Sequence, residues 1–222
     1  DRMKQPIYFF FDESTSAIGY LRWIGENLLE SALWQMTQDP YLLETAWVSV
    51  SLFGMSVTQC IPYAPVSEVR EGNFDFASAP SSTHADLGLV VKFLCDAGDM
   101  DARWSRETNK RVYPAIVFFV TGSRPFNVAS ALSHLKTRSS RIDLCANIVI
   151  NNSIHDNYYE ELTPNAFFIG TNGHKLGDVV YNSISTVQRA RIEDDGEERD
   201  SNFNSKYPWL DGFYSRAWDD YR

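Results

Sequence analysis

The chain has 222 residues, 44% of them hydrophobic, with a formal net charge of −9 and a sequence pI near 4.9. That length can bury one large core, so one principal domain is expected. The acidic balance excludes an extended phosphate-neutralising surface, which needs clustered Lys and Arg, and no nucleic-acid partner is expected.

The opening Asp1-Arg2-Met3-Lys4 lacks the basic, apolar and small-residue succession of a signal peptide, and Met3 is a candidate initiator. Pro6 to Phe11 is a continuous apolar block that empties into Asp12-Glu-Ser-Thr-Ser16, which reads as a buried strand followed by a polar loop. From Ala17 to Met36, apolar residues recur at helical spacing until Gln38-Asp-Pro40 stops the pattern. Ala46 to Phe53 and Val57 to Tyr63, separated by Gly54, predict a hairpin. A loop of small residues, 77–83, then precedes a helical stripe of Leu87, Val90, Val91, Leu94 and Cys95.

Ala115 to Val120 is a second buried strand, ending at Thr121-Gly-Ser-Arg-Pro125 and leading into a helix through Leu135. Asp143 to Ile150 repeats the strand. A short helical piece near Tyr158 to Leu162, an edge strand at Ala166 to Ile169 and a closing helix over Leu176 to Val187 complete the pattern. The alternation predicts an α/β fold: a doubly wound, mainly parallel sheet between helical layers, with one antiparallel edge strand. Ligands of such sheets bind beyond the carboxyl ends of the strands.

Composition shifts after Arg191, so the domain is expected over 1–190 and a tail over 191–222. The tail joins a charge run, 193–200, to a crowd of aromatics: Tyr207, Trp209, Phe213, Tyr214, Trp218 and Tyr221. Aromatics at that density are costly to leave in water, so the tail should dock on its own domain or on another chain. Trp23, Trp34 and Trp47 are assigned to packing. No apolar stretch approaches the roughly 20 residues that span a bilayer, and no membrane partner is expected. Cys60, Cys95 and Cys145 are odd in number and lie in apolar segments, which suits reduced, buried thiols and a cytoplasmic location.

Asp12, Ser14 and Ser16 form D-x-S-x-S, three hard oxygen donors on one turn, the ligand type preferred by Mg²⁺. The same residues also suit a helix N-cap, where the oxygens satisfy free backbone N–H groups. A second Ser/Thr loop, Ser81-Ser-Thr83, falls at another loop-to-helix junction on the same predicted edge. The four histidines lack metal-site spacing. No G-x-S-x-G, Walker A or G-x-G-x-x-G motif follows a predicted strand, so no catalytic residues are assigned.

With these loops in place, the sequence resembles the von Willebrand factor A family, a Rossmann-like three-layer sandwich. Its metal-ion-dependent adhesion site combines a D-x-S-x-S loop, a threonine from a second loop and an aspartate from a third. The resemblance implies metal ligands Asp12, Ser14, Ser16 and Thr83. Gln38 to Val50, Phe53, Ile61-Pro62 and Tyr113 to Thr121 are similar to the TerY-like branch, associated with bacterial tellurium resistance and stress response, over about residues 6–190. One departure stands out: the family's T-D-G reads Thr121-Gly122-Ser123 here, so Gly122 replaces a carboxylate and the motif is incomplete. A single carboxylate weakens binding of Mg²⁺, Mn²⁺ or Ca²⁺, or leaves the site without an ion.

His84, Ser123 and Glu13 are the residues placed to meet a partner, and Glu13, Asp86 or Ser123 are candidates to compensate for the missing aspartate. The leading expectation is a metal-dependent adaptor, not an enzyme, that binds a protein presenting an acidic side chain. The alternatives are a metal-independent structural subunit and a metal-assisted hydrolase.

Overall fold

The computed structural model describes residues 3–14, 28–69, 84–137, 142–150, 166–169 and 173–193. Six strands form one sheet in the order β3-β2-β1-β4-β5-β6. They are β1 (Gln5–Asp12), β2 (Ala46–Phe53), β3 (Val57–Pro65), β4 (Ala115–Thr121), β5 (Ile142–Val149) and β6 (Ala166–Phe168). Neighbours pair in parallel except β2 and β3, so the antiparallel strand lies at one edge, as the hairpin pattern predicts. β1 and β4 run side by side in the middle, and every residue of both is buried. That is why their sequences are uninterrupted apolar runs and do not alternate.

Because side chains alternate along a strand, β1 feeds two cores. Ile7, Phe9 and Phe11 face one layer, where Met36 and the closing helix pack; Tyr8 and Phe10 face the other, under Leu87, Val90 and Val91. On the first side a π-helical turn, Leu28–Leu33, runs into α1 (Trp34–Gln38) and then α2 (Pro40–Thr45). On the second lie α3 (Leu87–Thr108) and α4 (Val128–Thr137), and α5 (Gly173–Glu193) closes the first layer.

The predicted order holds, with local differences. Of the helix read over Ala17 to Met36, residues 17–27 lie outside the described residues, as does the helical piece near 158–162. The stop at Gln38-Asp-Pro40 is also a start: the Asp39 carboxylate accepts from the N–H groups of Tyr41 and Leu42, and Pro40 stands where a helix needs no donor. Trp34, assigned to packing, is 58% exposed, because it opens a short helix on the side away from the sheet. Helix α5 continues to Glu193, past the composition change; residues 194–222 lie outside the described residues. α5 passes close to the π-helical turn at Gly177, where a Cβ would lie 2.5 Å from Ser31 Oγ, so only glycine fits that approach. All three cysteines are free, but only Cys145 is fully buried; Cys60 and Cys95 are half-buried.

At the edge where the strands begin, Lys4 is buried. Its Nζ lies 2.7 Å from Asp101 Oδ1 and sits over the rings of Trp47, Tyr63 and Trp104 at 4.0, 4.4 and 4.7 Å. Tyr8 and Tyr63 donate their hydroxyls to Asp101 at 3.2 and 3.1 Å. Burial first, then neighbouring charge, pushes both phenols well above their ordinary range, so they remain neutral donors. Trp47 thus packs, as expected, but around a charge.

Candidate functional site

β1 and β4 end beside each other, which brings the loop after Asp12 against the loop after Thr121. This is the carboxyl edge of the sheet, where ligands of such sheets bind. Asp12 is 1% exposed. Its Oδ1 accepts from the Ser14 N–H at 2.7 Å, and its Oδ2 faces the Gly122 N–H at 3.4 Å. Ser14 Oγ and Ser123 Oγ are 3.5 Å apart. Two hydroxyls therefore sit next to one carboxylate, one from each loop.

Residues 84–87, which follow the second Ser/Thr loop in sequence, lie at the same edge. The Asp86 N–H donates to the Gly54 carbonyl, the Leu87 N–H to the Phe126 carbonyl, and the Phe126 N–H to the Ala85 carbonyl, which ties this segment to the loop after β4. His84 is exposed at this rim and stacks edge-on against Phe126 at 4.6 Å. Thr83 and Ser16 lie outside the described residues. Of the four ligands implied by the resemblance, the structure thus brings together Asp12 and Ser14, and it adds Ser123 to them.

The residues considered as substitutes for the missing aspartate separate clearly. Asp86 is committed as the cap of α3: its Oδ1 accepts from the Gly88 N–H at 2.8 Å and from Asn127 Nδ2 at 3.0 Å. Glu13 is 2% exposed, which corrects its reading as a surface contact for a partner. Strand alternation puts it on the face of Ile7, Phe9 and Phe11, near enough to Cys60 of β3 to help push that thiol up to about 11, an effect due first to burial. Its Oε2 has no hydrogen-bond partner among the described residues. Ser123 is the one candidate beside Ser14. Sequence reasoning missed the pair behind it, Thr121 Oγ1 donating to Asn147 Oδ1 at 2.8 Å, which ties β4 to β5 beneath the loop. A lone Asn in the apolar strand 142–149 was the available signal.

Burial raises the Asp12 carboxyl above its usual range, while donors from Ser14, Gly122 and Ser123 hold it partly down. Among the described residues no positive side chain contributes. A desolvated carboxylate among hydroxyl oxygens, without a cationic neighbour, suits a hard divalent cation. Among the described residues no three His, Cys, Asp or Glu gather, so an ion here would depend on hydroxyl oxygen and on water.

Burial, then the Asp12 charge, also raises Glu13. A carboxyl that titrates higher folded than unfolded holds its proton longer in the folded chain, so stability falls as pH rises through that range and stays lower above it. Glu13→Gln keeps the shape and removes the charge. It should therefore stabilise the protein modestly near neutral pH. The gain should vanish as pH falls below the ordinary carboxyl value of about 4.3. Thermal melts of both proteins across this range, in chelator, check it; equal stability at neutral pH would show that Glu13 is solvated.

Five parallel strands with an antiparallel edge, in this order, between two helical layers, define a von Willebrand factor A-type fold. The solved structures it resembles include proximal thread matrix protein 1 from the mussel byssus, with a TM-score of 0.56 and 13% identity, covering 83% of this chain and 46% of that one. The same mussel protein is known with a zinc-occupied MIDAS motif. Manganese-loaded Plasmodium vivax TRAP protein matches with a TM-score of 0.54 and 17% identity, over 80% of this chain and 72% of that one. A von Willebrand factor type A protein from Catenulispora acidiphila matches at 0.52 and 11%, over 83% and 42%. At such identities the likeness is one of fold. The chain spans less than half of the mussel protein's length. No family model and no curated protein matches the sequence. Among the described residues no helix is long and apolar enough to cross a membrane.

Proposed function

We propose that the chain is a protein-interaction module whose divalent cation is held by Asp12, Ser14, Ser16 and Thr83 and accepts an acidic side chain from a protein partner. The observation that carries this reading is the Asp12 carboxylate, buried beside the hydroxyls of Ser14 and Ser123 with no positive side chain shifting it among the described residues. Bound there, Mg²⁺, Mn²⁺ or Ca²⁺ would keep half of its charge, since one carboxylate offsets only the other half. The remainder attracts a carboxylate from outside. Ser123 takes the place nearest the missing aspartate, and His84 at the rim is set to meet the partner's acidic group. The metal-loaded states of the mussel and Plasmodium proteins support a cation at this edge of the fold. The TerY-like segments support a bacterial, cytoplasmic adaptor of tellurium-resistance, stress-response or defence systems, with binding and not catalysis as its task.

A second reading rests on the same carboxylate. The N–H groups of Ser14 and Gly122 face its two oxygens, so Asp12 can knit the loops together without an ion, and the module would then be metal-independent. Calorimetric titration with Mg²⁺ and Mn²⁺ separates the two. The parent should give binding heat, and Asp12→Ala should weaken it beyond the roughly 10–100-fold typical of outer-shell changes. Absence of heat in both proteins, with folding intact by circular dichroism, favours the metal-independent module. Capture of a partner from cell extract should, on the first reading, be lost with chelator.

A further inference from the structure

A concavity opens at the opposite edge of the sheet, where the strands begin, between α3 and the starts of β1, β4 and β5. It encloses about 240 Å³, and its walls include Pro6, Tyr8, Leu94, Cys95, Val112 and Ile142. The polar groups nearest it are already engaged: Asp101 by Lys4 and two phenols, and Ser105 Oγ by the Lys110 carbonyl. What remains is an apolar hollow, smaller than the roughly 300–1,000 Å³ of small-molecule pockets and suited to one or two bulky side chains.

The chain carries a matching occupant. α5 follows β6 and so starts at the carboxyl edge. Tyr181 then bonds Asp39, the cap of the helix that feeds β2, so α5 descends toward the edge where the strands begin. α5 therefore ends at the edge where the hollow opens, but on the opposite face of the sheet, so the chain after Glu193 has to pass round that edge to reach it. The stretch 194–206 can extend roughly 40 Å, further than the width of six strands at about 4.8 Å each. It is acidic, with Asp194, Asp195, Glu197, Glu198 and Asp200, and the aromatics follow it. Beside the lining residues Ser105 and Val112 the chain carries Arg106, Lys110 and Arg111, exposed and with no ion-pair partner among the described residues; Glu107 between them is paired with Arg103, and Lys110 Nζ lies 6.0 Å from the Trp104 ring. Asp96 and Asp99 stand higher on α3, which directs an acidic strand to these three basic residues.

We propose that the aromatic segment 207–221 inserts into this hollow of its own domain, steered by the acidic run against Arg106, Lys110 and Arg111. Aromatic burial supplies the attraction, and the charge pairing selects the site.

Cys95 in the wall reports occupancy. In full-length protein carrying Cys60→Ser, a maleimide should modify Cys95 slowly. Replacing Trp209, Phe213 and Trp218 by serine should speed it at least tenfold. Lys110→Glu with Arg111→Glu should speed it too, and adding Glu197→Lys with Glu198→Lys should restore protection. Cys145, fully buried, must stay unmodified throughout, which separates tail release from unfolding. Equal Cys95 rates in all variants overturn the proposal. Protection that strengthens with protein concentration overturns insertion into the same domain, because a second copy then supplies the segment.

Discussion

Replacing Asp101 by leucine should cost about 3–5 kcal/mol of stability, among the largest effects of any single substitution. The change strands the Lys4 ammonium, 4% exposed, among three aromatic rings with no counter-charge. The rings attract a cation, but by only about 0.5–2 kcal/mol, which does not offset the loss of a carboxylate at 2.7 Å. It also removes the acceptor from Tyr8 and Tyr63. For a chain of this size the loss corresponds to a fall in Tm of roughly 10 °C or more. Lys4→Met should cost less, because Asp101 keeps two phenol donors. The double variant should lose less than the sum of the singles, since neither charge is then left alone. Urea unfolding of the four proteins measures this cycle. An Asp101→Leu loss under about 1 kcal/mol would mean that water reaches the pair.

This cluster also shows what the sequence could and could not disclose. Asp101 falls on the stripe of α3 that includes Leu87, Val90, Val91 and Leu94, and a charge on an apolar stripe signals a buried partner. Nothing local names that partner, because Lys4 lies almost a hundred residues earlier and meets Asp101 only once β1 is packed under α3. The central strands were legible for the opposite reason: burial on both faces forces an unbroken apolar run, which is visible locally. Helix α2 was missed because Asp39-Pro40 ends one helix and caps the next, and a pattern that looks only for stops reads one meaning. In the candidate site, the turn from Asp12 to Ser14 is a contact two residues long and was readable. Ser123 was open to choice with Glu13 and Asp86 until the fold put Glu13 on the face of Phe9 and Phe11, near Cys60, and Asp86 on its own helix.

The aromatic residues carry the last expectation, because composition treats them alike and packing does not. Phe9 and Phe118 are paired neighbours on β1 and β4, both fully buried, with ring centroids 5.1 Å apart and planes 14° from parallel. They lie on the face covered by α5, in the middle of the sheet, where the surrounding backbone is held by ladders on both sides and cannot collapse into a void. Phe118→Ala should therefore cost about 3–5 kcal/mol, the transfer loss adding to an unfilled cavity. Trp34→Ala removes a larger side chain that is 58% exposed and should change stability by no more than about 0.5 kcal/mol. Neither change touches the carboxyl edge directly, so residual metal response in folded Phe118→Ala should match the parent. Denaturant unfolding orders the two variants, and a Phe118→Ala cost no larger than that of Trp34→Ala would mean that the two central strands are not packed against α5 as described.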